Sequence, residues 1–158
     1  EAIKRDERRA RCQNGLFDDI PLALPAMLRA RKLQKRAAGI GLDWPDAQGA
    51  LLSLKRELAE FEAELPAAAS TSPASADASA LDRLTAELGD LLFSCVNVAR
   101  KLDINPEQAL RGANEKFRQR AVCVEQSLAQ LGYTGDSGRE LPGAEHIDRL
   151  WQAAKQQE

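Results

Sequence analysis

Glu57-Leu58-Ala59-Glu60, answered thirty residues on by Glu87-Leu88-Gly89-Asp90, is the stretch from which the fold of this chain is read. Each tetrad sets two carboxylates at i and i+3 inside a run of helical periodicity, so each pair projects from one face of its helix. Leu51, Leu54, Leu58, Phe61 and Leu65 make an apolar seam beside the first pair, and Leu84, Leu88, Leu91, Cys95, Val98 and Leu102 make one beside the second. At about 100° per residue both pairs fall on the same side of their seams. Packing seam on seam predicts four acidic groups converging at the margin of a helical core. Such a cluster repels itself unless a cation neutralises it.

The rest of the composition fits helices. Aromatics make up 4% of the 158 residues, Ala and Leu are abundant, and no region alternates as a strand would. The expectation is an all-α bundle, one domain over 1–158 with a core of its own. A net charge of −2 gives no general reason to bind nucleic acid, and no segment is apolar for long enough to span a bilayer. Cys12, Cys95 and Cys123 lack metal-ligand spacing. Their odd count, with no signal-like segment, points to a reducing cytoplasm. Cys95, on its seam, reads as a small hydrophobe. The chain opens Glu1-Ala2-Ile3-Lys4 without an initiator Met, and is expected to be part of something longer.

Working along the chain, residues 1–15 read as a charged helix closed by Asn14-Gly15. A second helix, roughly 22–38, turns Met27, Ala30, Leu33 and Ala37 inward and a solvated basic face of Arg29, Arg31, Lys32, Lys35 and Arg36 outward. Asp46 is placed to cap the helix bearing Glu57 and Glu60. The Ala/Ser/Pro segment from Pro66 to Ala80 reads as a mobile connector that separates the acidic helices without dividing the domain. The second acidic helix is expected over 81–102. Asn105 and Pro106 supply the N-cap and first position of a helix to about 131. Its seam is Leu110, Asn114, Phe117, Ala121, Val124, Leu128 and Leu131. Asn114, a polar seam residue, needs partners and serves register or a site. Lys116 and Arg120 stand on the flank that corresponds to the acids. A short helix over 144–156 carries Ile147, Leu150 and Trp151 on one side.

The residue types then narrow the chemistry. The single histidine, His146, reads as a surface or helix-end residue, no Glu-x-x-His repeat supports a di-iron bundle, and no Cys/His cluster supports zinc. Oxygen-only ligands favour Mg²⁺, with Mn²⁺ as the alternative. Lys116 and Arg120 are either counter-charges for phosphates or a solvated flank. Trp151 either stacks on a nucleobase or caps the core. With no Walker A, no nucleophile elbow and no Ser/Cys–His pairing, a metal-activated water is favoured over covalent catalysis.

Beyond these patterns the chain resembles a known family. Glu57-x-x-Glu60 and Glu87-x-x-Asp90, with Gly89-Asp90-Leu91-Leu92-Phe93 and Val96-Asn97-Val98-Ala99-Arg100-Lys101, look like the all-α nucleoside triphosphate pyrophosphohydrolases of the MazG type. Asp18-Asp19-Ile20-Pro21, Gln34-Lys35-Arg36, Gly41-Leu42-Asp43-Trp44-Pro45-Asp46, Asn114-Glu115-Lys116-Phe117 and Trp151 extend the likeness over nearly the whole chain apart from the connector. It is most similar to the C-terminal of the two modules of a full-length MazG protein. The resemblance implies a helical homodimer that hydrolyses NTPs and dNTPs, ATP among them, to the monophosphate and pyrophosphate with Mg²⁺. It implies Glu57, Glu60, Glu87 and Asp90 as metal ligands at the catalytic centre. Lys116 and Arg120 match a phosphate-contacting motif and Trp151 a base-contacting position, and Asn97 and Asn114, within matching motifs, join the substrate-binding set. Two positions depart: Ser53 stands where the family carries Lys, and Arg56 where it carries the first of two adjacent Glu. These departures put substrate affinity and choice in question. They sustain the rival of a non-catalytic helical dimerisation or interaction module; a pyrophosphatase restricted to one pyrimidine dNTP is a narrower rival.

Overall fold

Helix starts and stops are written in Asp, Asn, Pro and Gly. The computed structural model describes residues 15–69, 78–133 and 142–156. Over these it places five helices and no strand: α1 (Ala26–Ala38), α2 (Ala47–Ala69), α3 (Ala78–Lys101), α4 (Pro106–Gln130) and α5 (Ala144–Lys155). The all-α class is as expected. The helix expected over 1–15, most of the connector after Ala69, and residues 134–141 before α5 lie outside the described residues. No helix is long and apolar enough to cross a membrane among the described residues.

Each boundary has a local cause. α1 begins at Ala26, later than the periodicity suggests, because Pro25 has no N–H to donate back to Pro21; its carbonyl instead accepts the first helical bond, from Arg29 at 2.9 Å. Asp46 caps α2 as expected, its carboxylate accepting the Gly49 N–H at 2.7 Å. α3 ends where Asp103 turns left-handed (φ 53°), which lets the Ile104 N–H reach back to the Ala99 carbonyl at 2.8 Å. Asn105 then caps α4, accepting the Glu107 N–H at 3.1 Å, with Pro106 at the first helical position. Gly132 (φ 79°) closes α4, and the Tyr133 N–H returns to the Leu128 carbonyl at 2.9 Å.

Contacts group the chain into two units that divide after Glu107. In the first, α3 packs against both α2 and α1. Its buried apolar residues are small or few: Ile20, Ala50, Ala80 and Val96. Alanine is small, so these positions bury little apolar area, and leucines such as Leu58 and Leu88 stay exposed.

The seams differ in phase from the sequence expectation. Leu58, Leu65, Leu88 and Leu102 are exposed, and so is Cys95, whose neighbour Val96 is buried. The line of α2 that is most covered runs through Ala50 and Glu57, so the carboxylate itself occupies a core-facing position. The basic face of α1 is also less solvated than expected. Arg36 pairs with Asp19, and Arg31 holds Asp103 at 2.8 Å, tying α1 to the end of α3. Gln34 points inward instead, its Nε2 donating to the Phe93 carbonyl at 2.8 Å.

In the second unit, half-buried Ala121, Val124 and Leu128 keep the expected α4 seam, while Leu110 and Phe117 are exposed. Asn114 is exposed as well, which corrects its reading as a buried polar seam residue. On α5, Ile147, Leu150 and Trp151 are half-buried and Ala154 is buried.

Candidate metal centre

A helix carries side chains at i and i+3 on one side, and α2 and α3 pack with those sides adjoining. Glu57, Glu87 and Asp90 thereby come together: one carboxylate oxygen from each lies within 4.8 Å of the other two. Glu57 is the buried member, Glu87 is half-buried and Asp90 is exposed, so the trio opens outward from the helix interface. Glu60, the fourth expected ligand, stays outside this set and lies 3.6 Å from the Nε of Arg56.

The electrostatics agree with the geometry. Partial burial pushes the Glu87 carboxyl above its usual range, and the negative charges of Glu60, Asp90, Glu57 and Glu64 push it further. Oxygen-only donors converging under mutual repulsion suit a hard divalent cation, which binds through a few carboxylates and keeps water in its remaining positions. The donor set therefore fits Mg²⁺ or Mn²⁺ in its chemistry.

Two cationic side chains already engage this acidic group. Arg56 donates from Nη2 to Glu57 Oε1 at 2.9 Å, and that bond, with the charges of Glu57 and Glu60, raises its own pKa. Arg83 donates from Nε to Glu64 Oε2 at 3.1 Å across the two helices. Glu64 and Arg83 did not figure in the sequence reading. The signal was present in Glu60-x-x-x-Glu64, which continues the acidic side of α2 by one more turn.

Farther along α3, Arg100 and Lys101 both turn to Asp43 in the loop before α2, Lys101 at 2.7 Å. Lys101 also donates to the Trp44 carbonyl. Burial acts to raise the Asp43 carboxyl, but the hydrogen bonds and charges of Lys101 and Arg100 outweigh it and hold the group below its usual range. Asn97 accepts two bonds from the same guanidinium, at 3.0 Å from Nε and 2.7 Å from Nη2. This lattice pins the Gly41-Leu42-Asp43-Trp44 loop to α3.

In the second unit, Trp151 of α5 meets Phe117 of α4 with ring centroids 5.4 Å apart at 52°. The Arg120 guanidinium lies 5.9 Å over the same indole. Lys116, four residues before Arg120 on α4, is exposed. Glu115 is held down to about 2, chiefly by its bonds from Arg118 and Gln119. His146 sits in the first turn of α5, at a helix end as expected, yet half-buried with its Nε2 enclosed and unpartnered.

Comparison with known proteins points to one group. Residues 50–124, which hold both acidic pairs, match the MazG nucleotide pyrophosphohydrolase domain family. The chain is 38% identical over its whole length to the nucleoside triphosphate pyrophosphohydrolase of Escherichia coli strain K12, covering 55% of that protein. It is 35% identical over 98% of its length to the nucleoside triphosphate pyrophosphohydrolase/pyrophosphatase MazG of Thermotoga maritima, covering 53%. A Bacillus subtilis protein, YabN, is 37% identical over the whole chain, which covers 29% of it. The chain thus spans about half the length of the first two relatives.

Proposed function

The chain carries a MazG nucleotide pyrophosphohydrolase domain, and from that premise we propose that it hydrolyses nucleoside triphosphates between the α- and β-phosphates, releasing the monophosphate and pyrophosphate. The observation that carries this reading is the meeting of Glu57, Glu87 and Asp90 within 4.8 Å of one another. These three, with Glu60 as the fourth carboxylate, would hold the divalent cation, Mg²⁺ or Mn²⁺. When bound, such a cation polarises a phosphoryl oxygen and lowers the pKa of a coordinated water.

The protein's own groups do the rest. The carboxylates stand on two packed helices instead of on loops, so they would hold the cation at a place set by the core. Lys116 and Arg120 offset charge on the phosphate oxygens, and the indole beneath Arg120 steadies that guanidinium. Asn97 and Asn114 belong to the substrate-binding set, as does Trp151. The active species is a homodimer: Leu58, Leu88, Leu92 and Phe93 on the acidic helices are exposed in the single chain, an apolar surface that a second copy covers. The setting is the cytoplasm, where nucleoside triphosphates are abundant.

The test is release of pyrophosphate from each of the eight common NTPs and dNTPs, with and without Mg²⁺. Turnover is expected only with the metal. Asp90→Asn is expected to lower kcat by at least about 100-fold while leaving the circular dichroism unchanged. Full activity in that variant contradicts the assignment. The bond from Arg56 to Glu57 favours a second reading, in which the acids are neutralised internally and the domain is only an interaction module. Calorimetry with Mg²⁺ and a non-hydrolysable NTP separates the two, because a bare scaffold gives no metal-dependent heat.

A further inference from the structure

Arg56 directly precedes Glu57 on α2 and stands four residues before Glu60, on the same side of that helix as Glu60. Its Nη2 donates to Glu57 Oε1 at 2.9 Å, and its Nε lies 3.6 Å from Glu60 Oε1. The two ends of the first bond differ in setting. The Glu57 side chain is 12% exposed and that of Arg56 is 62% exposed. A long side chain so little covered by protein changes rotamer at small cost. Arg56 thus neutralises the buried member of the acidic trio from the solvent side. It also keeps Glu60 turned to itself while the other three acids converge.

That position conflicts with a divalent cation. Glu57 would have to serve both, and two positive charges among Glu57, Glu87 and Asp90 would stand beside the single charge of the guanidinium. Like charges repel, and the exposed partner is the one able to leave. Arg83, the cation on the facing helix, has no such conflict: it bonds Glu64 and Ser79, both outside the trio.

A guanidinium released at the rim of an acidic site has a use. A triphosphate brings several negative charges towards carboxylates that repel it, and positive charge beyond the cation's own favours its binding. Arg carries five N–H donors in a planar fork that matches phosphate oxygens two at a time. One side chain can therefore serve the acids first and the phosphates afterwards.

We propose that Arg56 is an exchanging counter-ion: it holds Glu57 and Glu60 in the metal-free protein, and turns to a phosphate oxygen of the substrate once the acids are taken by the cation. The proposal rests on the pyrophosphohydrolase reading and adds to it a phosphate-binding residue supplied by α2 itself. The same exchange releases Glu60 to act as the fourth carboxylate.

Binding measurements separate this from a fixed ion pair, because the two halves of the exchange respond to substitution in opposite directions. Arg56→Gln changes an exposed position to another good helix former, so the circular dichroism should be unchanged. Mn²⁺ alone should bind that variant roughly two- to five-fold more tightly than the unsubstituted chain, read by paramagnetic titration. At saturating Mn²⁺, tripolyphosphate and α,β-methylene ATP should each bind it at least about five-fold more weakly, read by calorimetry. Equal or tighter binding of the two phosphate compounds by the variant makes Arg56 a competitor for the acids and nothing more, and overturns the proposal. Unchanged Mn²⁺ affinity overturns it as well, because the guanidinium then does not yield the acids. Both results leave the pyrophosphohydrolase reading standing. Absence of Mn²⁺-dependent binding of the analogue by the unsubstituted chain overturns that reading and the proposal together.

Discussion

Glu87 is the residue on which every neighbouring influence pushes the same way. Burial and four neighbouring acids all favour its protonated form, so its pKa in the folded protein lies above that of the unfolded chain. A carboxyl raised in this way binds more protons folded than unfolded, and its contribution to stability falls as pH rises through the interval between the two values. Glu87→Gln is therefore expected to raise the melting temperature of the metal-free protein at pH 7. The same substitution should abolish the further rise caused by Mg²⁺. In the unsubstituted protein that Mg²⁺-induced rise should be present at pH 7 and shrink as pH falls through the Glu87 titration, since the ligands must be ionised. Thermal scans across pH, with and without metal, check all three. Arg56 gives a second expectation. Because it holds Glu57 and Glu60, Arg56→Gln should tighten Mg²⁺ binding by roughly two- to five-fold, the size of a largely exposed ion pair. The acids were legible in the sequence because i, i+3 spacing survives any choice of partner helix. The hold of Arg56 on them was not, because a long, flexible side chain that can reach either solvent or a carboxylate leaves no periodic trace.

At the scale of the element, caps were the most readable feature and seams the least. Asp46 and Asn105 stand where their side chains must be to satisfy the first turns of α2 and α4, and local chemistry alone decides that. Asp46→Ala is expected to cost about 1 kcal/mol, measurable as a lower urea midpoint with an unchanged m-value. The seams differ in phase because leucine is not the mark of burial in these helices. In α2 and α3 the buried positions are instead Ala50, Glu57, Ala80 and Val96, and leucines such as Leu58 and Leu88 are exposed. Periodicity identifies an apolar stripe, but which edge of the stripe faces which neighbour depends on tertiary contacts that a single helix does not encode. The same shift carried Glu57 inward, which a reading from leucines alone does not foresee. The late start of α1 was legible in Pro25, whose missing N–H outweighs the helical periodicity of the residues before it.

For the molecule as a whole, the balance of buried and exposed apolar surface is the informative quantity. No large side chain in the described residues is fully enclosed, while Leu52, Leu88, Leu92 and Phe93 on the acidic helices remain open. Self-association is the expected remedy, and light scattering after gel filtration should give twice the chain mass; Leu88→Glu should shift it toward the monomer. The all-α class was legible because it follows from short-range spacing, as does the acidic side of each helix; that Glu57, Glu87 and Asp90 meet while Glu60 stays outside depends on how α2 and α3 pack. A cavity beside α1 was not legible either, because Phe17, Gln34, Trp44 and Phe93, which line it, come from separate parts of the sequence and meet only after folding. The central claim is that α2 and α3 together hold a divalent cation through Glu57, Glu87 and Asp90. Paramagnetic titration with Mn²⁺ tests it most directly: saturable binding in the unsubstituted chain, lost in Asp90→Asn with the helical content intact, is the predicted result. No binding by the unsubstituted chain, or equal binding by the variant, contradicts it.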